Sequence, residues 1–531
     1  MVHSPSVERI GSRREDLAQL ALHSKFTDVQ NQAVSITGSQ LGGGRSQKKG
    51  AEPLGSLTLT VLSDAEIETM HDRTLDVFEK TGIRVTHAEA LGRLAAAGAE
   101  VEESSGLVRF DRRLVRELLD RAPSVVIETG LNGKRMEVGG ENRYYLSLVL
   151  DPFIIEYGGG PRRPVLEDVR RHTIIGESLD RISSMMRMEF PVADVPEPDS
   201  YYKTMEVFLR HTTKHTAVYP TSEENCRDWM DVMSVIAQAA GVDVESTPLM
   251  SIAMAVTSPL QIHGPNIEIM KMAMERCYPI LSTICPIAGT TSPYSLAGTM
   301  LVSNVEALAA VLITQIYKPG HPVLYGIGPS VTDMRTGHDL YYKAEKMIFK
   351  IAATQMGTFY GLPISGEAGG TLTYRADVQN GAESMAYLLA AVAGGQHIIG
   401  GLGSLHNANG MSAEQIIMQC GLADMAEYCA RGLEVSEAKL GFDSLKRVQP
   451  GGSFLTDDLT LGLLRSNEFF ESPYFDLTGG YADGAPGMVA IAHQTAADLV
   501  ANYAPTVPHR VVEAITRFFA DKYRDKKLAV R

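Results

Sequence analysis

Residues 366–410 read GEAGGTLTYRADVQNGAESMAYLLAAVAGGQHIIGGLGSLHNANG, and this stretch decides the fold. Two apolar segments rich in glycine each run into a polar loop, and a segment of small residues with helical spacing joins them. A strand, a loop, a helix and a second strand in this order are typical of parallel pairing. The stretch therefore predicts one half of a barrel mouth, where the loops that follow the strands carry chemistry.

The same pattern repeats outward from this stretch. Eight short apolar runs are each followed by a turn and a longer helical segment, and they lie at 144–151, 182–190, 215–220, 249–256, 279–286, 322–329, 361–367 and 397–404. Helices are predicted between the later runs at 267–275, 303–316, 342–356 and 381–392, and a closing helix at 413–431. Eight strand and helix units predict an α/β fold, a (β/α)8 TIM barrel. An open doubly wound sheet is the alternative, but no GxGxxG motif opens a helix after the first strand.

The flanking segments suggest four parts of the chain. Residues 1–56 are polar and are expected to form a flexible extension. Residues 57–143 predict a small α/β lead-in domain that begins with a helix capped by Ser63. The barrel is expected over 144–490, and a C-terminal helical extension over 491–531.

Composition excludes several classes of function. The net charge is −14, with 44% hydrophobic and 21% charged residues. This charge excludes a nucleic-acid partner, which requires a basic surface. No signal peptide or long apolar run is evident, so we expect a cytoplasmic protein without a membrane partner. Five cysteines without CxxC spacing predict neither a disulfide framework nor a metal site. Cys285, at a strand end, is expected to be a small buried hydrophobe rather than a nucleophile or ligand.

Candidate chemistry lies where the strands end. Glu367 and His406, after the seventh and eighth strands, are the predicted acid–base or headgroup-binding pair. Tyrosines near strand ends could form an aromatic cage for a quaternary ammonium ion, and arginines could bind a substrate carboxylate. The candidates for these two roles are Tyr157, Tyr219, Tyr325, Tyr374, Arg335 and Arg375.

From about residue 57 to about residue 500 the chain resembles the trimethylamine methyltransferase family of corrinoid-dependent methyltransferases. The most specific segment is the Ala-Asp-Val-Gln-Asn-Gly run at 376–381. In archaeal trimethylamine enzymes a similar run follows pyrrolysine, whose position falls at about Tyr374 here. The glutamate that the family carries after strand eight falls at His406.

These two differences imply the branch of the family that lacks pyrrolysine. Its members demethylate quaternary amines such as glycine betaine, proline betaine or carnitine. The resemblance implies methyl transfer to Co(I) of a separate corrinoid protein, with no tightly bound cofactor, and we expect a homo-oligomer. Two other functions stay open. One is a barrel hydrolase or lyase that pairs Glu367 with Glu189 or Asp151; the other is a betaine-binding protein without catalysis.

Overall fold

The computed structural model describes residues 57–188, 190–197, 199–244, 246–479 and 484–529, with side chains up to residue 523. The predictions for residues 1–56 and for Glu189 therefore lie outside the described residues. The division into a lead-in domain, a barrel and a C-terminal extension stays a prediction.

The lead-in segment begins with the helix Asp64–Asp76. Its N-terminus is a capping box, because the Ser63 side chain accepts from the Glu66 backbone and the Glu66 carboxylate accepts from the Ser63 N–H. Further elements are the π-helical turn Val77–Thr81, the helices Ala88–Ala96 and Arg112–Leu119, and the strands Ile83–Thr86, Glu100–Glu102, Leu107–Arg109, Val126–Thr129 and Arg135–Val138. One strand of the lead-in sheet comes from far along the chain: Gln261–His263 pairs in parallel with Ile83–Thr86.

Eight parallel strands close a barrel in chain order, with the last strand paired to the first. They are β1 Tyr144–Leu148, β2 Ser184–Arg187, β3 His215–Val218, β4 Met250–Ala255, β5 Ile280–Thr283, β6 Val323–Gly326, β7 Ile364–Glu367 and β8 Ile398–Leu402. The predicted (β/α)8 barrel is confirmed with all eight strands in the predicted runs, and the doubly wound alternative is wrong.

A helix follows each strand on the outside of the barrel. These helices are α1 Leu166–Ser178, α2 Asp199–Leu209, α3 Glu223–Ala240, α4 Gly264–Glu275, α5 Leu296–Tyr317, α6 Glu345–Phe359, α7 Val378–Gly394 and α8 Ala413–Ala430. Helix α5 is long and apolar enough to cross a membrane, but 72% of its apolar window is buried. Its position between β5 and β6 makes it a core helix of the barrel.

Side-chain alternation along the strands fixes what faces the barrel interior. Tyr325 on β6 points outward, because its hydroxyl donates to Asn304 Oδ1 on α5 at 2.7 Å. Ile364 is the register partner of Tyr325, so it also points outward. Two further positions along β7, Gly366 points outward as well, and Glu367 therefore points into the barrel.

Short strands in the loops extend the mouth: Phe153–Ile155, Pro161–Arg162, Ile287–Ala288, Ser330–Thr332, Asp339–Leu340, Ser404–Leu405 and Gly410–Met411. After the barrel come the helices Glu437–Leu440, Phe442–Val448, Asp458–Leu463, Met488–Ala501 and His509–Ala529. Helix Met488–Ala501 packs on α8 and α1, and the terminal helix packs on α3 and α2.

Candidate active site

Glu367 is the last residue of β7 and stands on the inner wall of the barrel mouth. Its register partner on β8 is Gly400. A Cβ on Gly400 would lie 3.7 Å from Glu367 Cγ, so the glycine leaves the face of the glutamate open. The carboxylate is half-buried and available to a ligand that enters the mouth.

Tyr341 and Tyr342 enter the mouth beside Glu367. The Tyr342 hydroxyl lies 2.6 Å from the Gly369 carbonyl and 3.3 Å from Glu367 Oε2. Burial, and then the Glu367 charge, raise the pKa of both phenols well above their usual value. Both tyrosines therefore stay protonated and can donate to the carboxylate.

Glycines make room for these two rings. A Cβ on Gly328 would collide with the Tyr341 hydroxyl and lie 3.6 Å from Cys285 Sγ. Gly370 has a φ of 122°, and a side chain there would collide with the Tyr342 ring. The two tyrosines are therefore built into the mouth rather than resting on its surface.

The prediction of a helix over 342–356 is wrong at its start, because α6 begins at Glu345. Asn407, in the loop after β8, explains the difference. Its Oδ1 accepts from the Tyr341 N–H at 2.7 Å and the Tyr342 N–H at 3.3 Å. This contact between two distant loops holds the tyrosines outside the helix, and nothing in the local sequence signals it.

Asp151 lies past the end of β1, is 3% exposed, and is 3.5 Å from the Ser404 hydroxyl. Burial, and then the charge of Glu367, raise the pKa of Asp151 well above its usual value. The protonated form of Asp151 is thus favoured beside the Glu367 carboxylate.

Two lysines of α6 lie behind the mouth. Lys350 Nζ fills the space at the outward face of Gly366 and donates to the Ile327 carbonyl at 2.8 Å. Lys346 Nζ lies 3.1 Å from the centroid of the Tyr341 ring, and among the described residues it has no hydrogen-bond partner. Burial lowers the pKa of Lys346 well below its usual value and that of Lys350 to about 8. Burial and the charge of Lys350 thus disfavour the ammonium form of Lys346, whereas the carboxylates of Glu367 and Asp339 oppose this shift of its pKa.

Cys285 and Tyr219 complete the inner wall. Cys285 is accessible to solvent from the mouth, although burial by the surrounding protein raises the pKa of its thiol to about 11. The sequence predicts that Cys285 is buried, and this prediction is wrong, because the side chain is exposed to solvent. A thiol with a raised pKa is a poor nucleophile at neutral pH. Burial and the nearby Cys285 raise the pKa of Tyr219. We call the space lined by Tyr219, Cys285, Tyr341 and Glu367 the chamber; Tyr342, which is 0% exposed, lies behind this lining.

The rim of the chamber carries Tyr374 and His406. Their rings meet edge to face, 5.5 Å apart at 88°, and His406 also contacts Phe153 at 6.0 Å. The His406 N–H donates to the Thr373 carbonyl at 3.1 Å, which ties the loops after β7 and β8 together. The structure thus brings together Tyr374 and His406, the two positions to which the family resemblance points.

Four other predicted site residues lie outside the chamber. Tyr325 points away from it to α5. Tyr157 is 49% exposed and stacks on His493 at 4.0 Å. Arg335 is exposed and paired with Asp333, and Arg375 is exposed at the rim, 5.6 Å from the Tyr374 ring. Of the predicted tyrosines, Tyr219 lines the chamber and Tyr374 lies at its rim.

The described residues bring together one group with metal-ligand chemistry, His87, Glu89 and Glu268, away from the chamber. The Lys271 ammonium lies 2.6 Å from Glu89 and 3.0 Å from Glu268. A cation is therefore already present between the carboxylates, and this group is explained as an ion-pair network.

The profile of the trimethylamine methyltransferase (MTTB) family matches residues 45–526. The chain belongs to this family. It is 27% identical to the trimethylamine methyltransferase MttB of Desulfitobacterium hafniense (strain DSM 10664 / DCB-2), over 88% of this chain and 95% of that protein. It is also 27% identical to the glycine betaine methyltransferase of Desulfitobacterium hafniense (strain Y51), over 86% of this chain and 96% of that protein.

A more distant MTTB relative is the trimethylamine methyltransferase MttB of Methanosarcina barkeri, 25% identical over 86% of this chain and 94% of that protein. Among solved structures, the hydroxylamine complex of MtmB superposes with a TM-score of 0.51 at 13% identity, covering 84% of this chain and 89% of that one. This likeness supports the fold. Family membership makes the protein a methyltransferase.

Proposed function

We propose that this MTTB-family protein removes a methyl group from a quaternary amine, with glycine betaine as the first candidate. The methyl group passes to Co(I) of a separate corrinoid protein. The observation that carries the proposal is the chamber itself, in which Glu367 is the inward carboxylate and Tyr219 and Tyr341 are the tyrosines that reach the surface. A negative charge beside aromatic rings is the environment that binds quaternary ammonium ions.

The positions of Asp151 and Glu367 support methyl transfer over the alternative of a hydrolase that uses two carboxylates. Asp151 lies on the same side of the mouth as Glu367, because β8 alone separates β1 from β7. Two opposed carboxylates would be needed on either face of a glycoside, whereas here the buried Asp151 favours its neutral form. A single anionic carboxylate matches a cation.

The reaction breaks one C–N bond, and its electron pair stays on nitrogen. Glycine betaine would leave as dimethylglycine. The acceptor, when bound, supplies a strong nucleophile for the methyl carbon. Glu367 would hold the ammonium group, the tyrosines would orient one methyl group toward the opening, and the enclosed wall would exclude water. Cys285 on the inner wall is exposed to solvent. The chamber is therefore open to the outside, which suits a methyl acceptor carried by a separate protein.

Lys346 supports a substrate that carries both charges. It lies behind the Tyr341 ring without a hydrogen-bond partner among the described residues. A substrate carboxylate in the chamber would raise the pKa of Lys346 and favour its ammonium form. A betaine carries such a carboxylate, whereas choline and trimethylamine have none.

The test is methyl transfer to free cob(I)alamin with a panel of glycine betaine, proline betaine, carnitine, choline and trimethylamine. We expect loss of the Co(I) absorbance and formation of methylcobalamin with a betaine, and dimethylglycine from glycine betaine by mass spectrometry. Trimethylamine should be inactive. No methylcobalamin with any quaternary amine would contradict the proposal. Calorimetric binding of a betaine without methyl transfer would instead identify a binding protein without catalysis.

A further inference from the structure

A second cavity, which we call the side cavity, lies between α1, α8 and the helix Met488–Ala501, beside the strand Phe153–Ile155. The stacked rings of Tyr157 and His493 form one of its walls. Its volume is about 240 Å³. Since liquid water takes roughly 30 Å³ per molecule, this space matches a ligand of about eight non-hydrogen atoms. The residues that line it are different from those that line the chamber.

Arg171 on α1 brings to the side cavity a guanidinium that makes no hydrogen bond to any described residue. Its Nη2 lies 3.7 Å from Glu414 Oε1 at the start of α8, which is beyond hydrogen-bond distance. The other arginine of the lining, Arg162, is already held by Glu156 and Asp168 at 2.6 to 2.8 Å. Arg171 is therefore the guanidinium of the lining that can still bind a carboxylate through two parallel hydrogen bonds.

His172, the next residue of α1, lines the side cavity and is 2% exposed. Its Nδ1 donates to the Val149 carbonyl at 3.2 Å, because a carbonyl oxygen only accepts. Burial lowers the pKa of His172, which favours the neutral ring with a lone pair on Nε2. Nε2 has no hydrogen-bond partner in the part of the chain that the structure describes. A buried acceptor in this state requires an N–H or O–H donor from the cavity.

Glu414 reaches the same space from α8 and is 5% exposed. Its carboxylate accepts from the Ser412 hydroxyl and from His493 Nδ1, each at 2.8 Å. Burial alone would raise its pKa, but these hydrogen bonds hold the pKa of Glu414 below its usual value, so the carboxylate stays charged. Arg171 and Glu414 thus offer one charge to each end of a zwitterion.

We propose that the side cavity binds a small amino acid whose nitrogen carries at least one N–H group. The carboxylate would bind Arg171, and the ammonium group would donate to Glu414 and to His172 Nε2. The carbon atoms would contact Ile154 and Ile155 in the lining. A betaine has the carboxylate but no N–H, and a site built to accept from N–H discriminates strongly against such an analogue. This site is separate from the reaction in the chamber.

The side cavity lies behind the rim of the chamber. Ile154 and Ile155 belong to the same short strand as Phe153, whose ring contacts that of His406 at 6.0 Å. This strand pairs in parallel with Gly410–Met411. A ligand that binds the folded state raises the free energy of opening of the segments that it contacts. An amino acid in the side cavity should therefore protect the backbone amides of this strand from hydrogen exchange.

The experiment is isothermal titration calorimetry of the full chain carrying Glu367→Gln, in which the chamber lacks its carboxylate. The ligands are glycine, L-alanine, dimethylglycine and glycine betaine. Dimethylglycine and glycine betaine form a matched pair, because a methyl group in the second replaces the N–H of the first. We expect the amino acids to bind and glycine betaine to bind at least about tenfold more weakly than dimethylglycine.

Arg171→Met, added to this protein, should lower the affinity for the amino acids by more than about tenfold, because it removes the charged partner of the carboxylate. Arg170→Met is the matched control. Arg170 is the neighbouring residue of α1, but it pairs with Glu167 at 2.6 Å and does not line the side cavity. It should retain the affinity of the parent protein.

Hydrogen exchange locates the bound amino acid without a variant of α1. Residues 153–157 and 411–415 should gain protection when the amino acid that binds most tightly is added. Four results would each overturn the proposal: no binding of any of the three amino acids, equal affinity for glycine betaine and dimethylglycine, affinity that Arg171→Met leaves unchanged, or no gain of protection in these two segments.

Discussion

The wall of the chamber and its rim are built differently although both belong to the mouth. On the wall, Glu367 and Tyr342 are fixed by strand β7 and by hydrogen bonds to side chain and backbone. At the rim, Tyr374 and His406 lie on loops and meet through ring edges. Charge that is enclosed by protein acts strongly on a ligand, whereas charge and aromatic edges near water act weakly. We therefore assign ammonium binding to the wall and substrate access to the rim.

The largest loss of activity is expected on substitution of Glu367, on the chamber wall. Glu367→Gln keeps the shape of the side chain but removes its charge, so kcat/KM for betaine demethylation should fall by about 100-fold, as for other buried charge pairs that lose one partner. The cob(I)alamin assay measures this effect. Glu427→Gln is the matched control, because Glu427 accepts from Arg143 and Tyr145 at the other end of the barrel. It should keep wild-type kcat/KM, and a near-wild-type Glu367→Gln would remove Glu367 from the site.

Asp151→Asn tests whether the Asp151 carboxyl on the chamber wall is protonated in the folded protein. Since the pKa of Asp151 is raised in the folded protein, the folded state retains a proton that the unfolded state loses above about pH 4. This group therefore lowers the free energy of unfolding as pH rises, by up to about 1.4 kcal/mol per pH unit, until pH reaches the folded pKa. Urea unfolding at several pH values should show that the free energy of unfolding of the wild type declines as pH rises. Asp151→Asn should lack this decline.

Asp180 offers a control for that measurement, because its side chain is 91% exposed and its ion-pair partner Lys134 lies 3.9 Å away. Asp180→Asn should retain the wild-type pH slope. If Asp151→Asn retains it as well, Asp151 is ionised in the folded protein, and the wall carries two charges rather than one.

Lys346→Met tests whether the wall distinguishes a zwitterion from a simple cation. Loss of the amine that a bound carboxylate would bring into its ammonium form should raise KM for glycine betaine by about tenfold, as expected for a charge several ångströms from a carboxylate at intermediate dielectric. KM for choline, or its dissociation constant when choline binds without reacting, should not rise. An equal effect on both ligands would show that Lys346 supports the fold of Tyr341 and does not select the substrate.

The smallest effects are expected at the rim. Tyr374→Leu and His406→Ala should each lower betaine turnover by about threefold, because each removes one ring of the edge-to-face pair and such a contact contributes roughly 0.5–1.5 kcal/mol. Thermal unfolding should change little in either variant. Losses as large as that of Glu367→Gln would place the rim in direct contact with the reacting group, and wild-type rates would remove it from the site.

The sequence predicts what local periodicity and strand order control. The eight apolar runs, the outward loops and the position of Glu367 at the end of β7 all follow from such local signals. The sequence cannot distinguish the two faces of a four-residue strand whose residues are all apolar or glycine. Tyr325 is therefore as good a candidate for the mouth as the other tyrosines, although its side chain points to α5. Tyr341 and Tyr342 depend on Asn407, more than sixty residues away, and Lys346 was hidden in an ordinary helical pattern. The resemblance to the family located Tyr374 and His406, which periodicity alone would have passed over.

The strand that the barrel contributes to the lead-in sheet has a consequence for synthesis of the chain. Thr86 and its partner His263 are 177 residues apart. On a ribosome, the edge formed by Ile83–Thr86 therefore stays unpaired until the fourth barrel unit has emerged. An open strand edge invites pairing with other chains, so the nascent protein is most vulnerable to aggregation during this interval. Fragments that end before Gln261 should share this vulnerability.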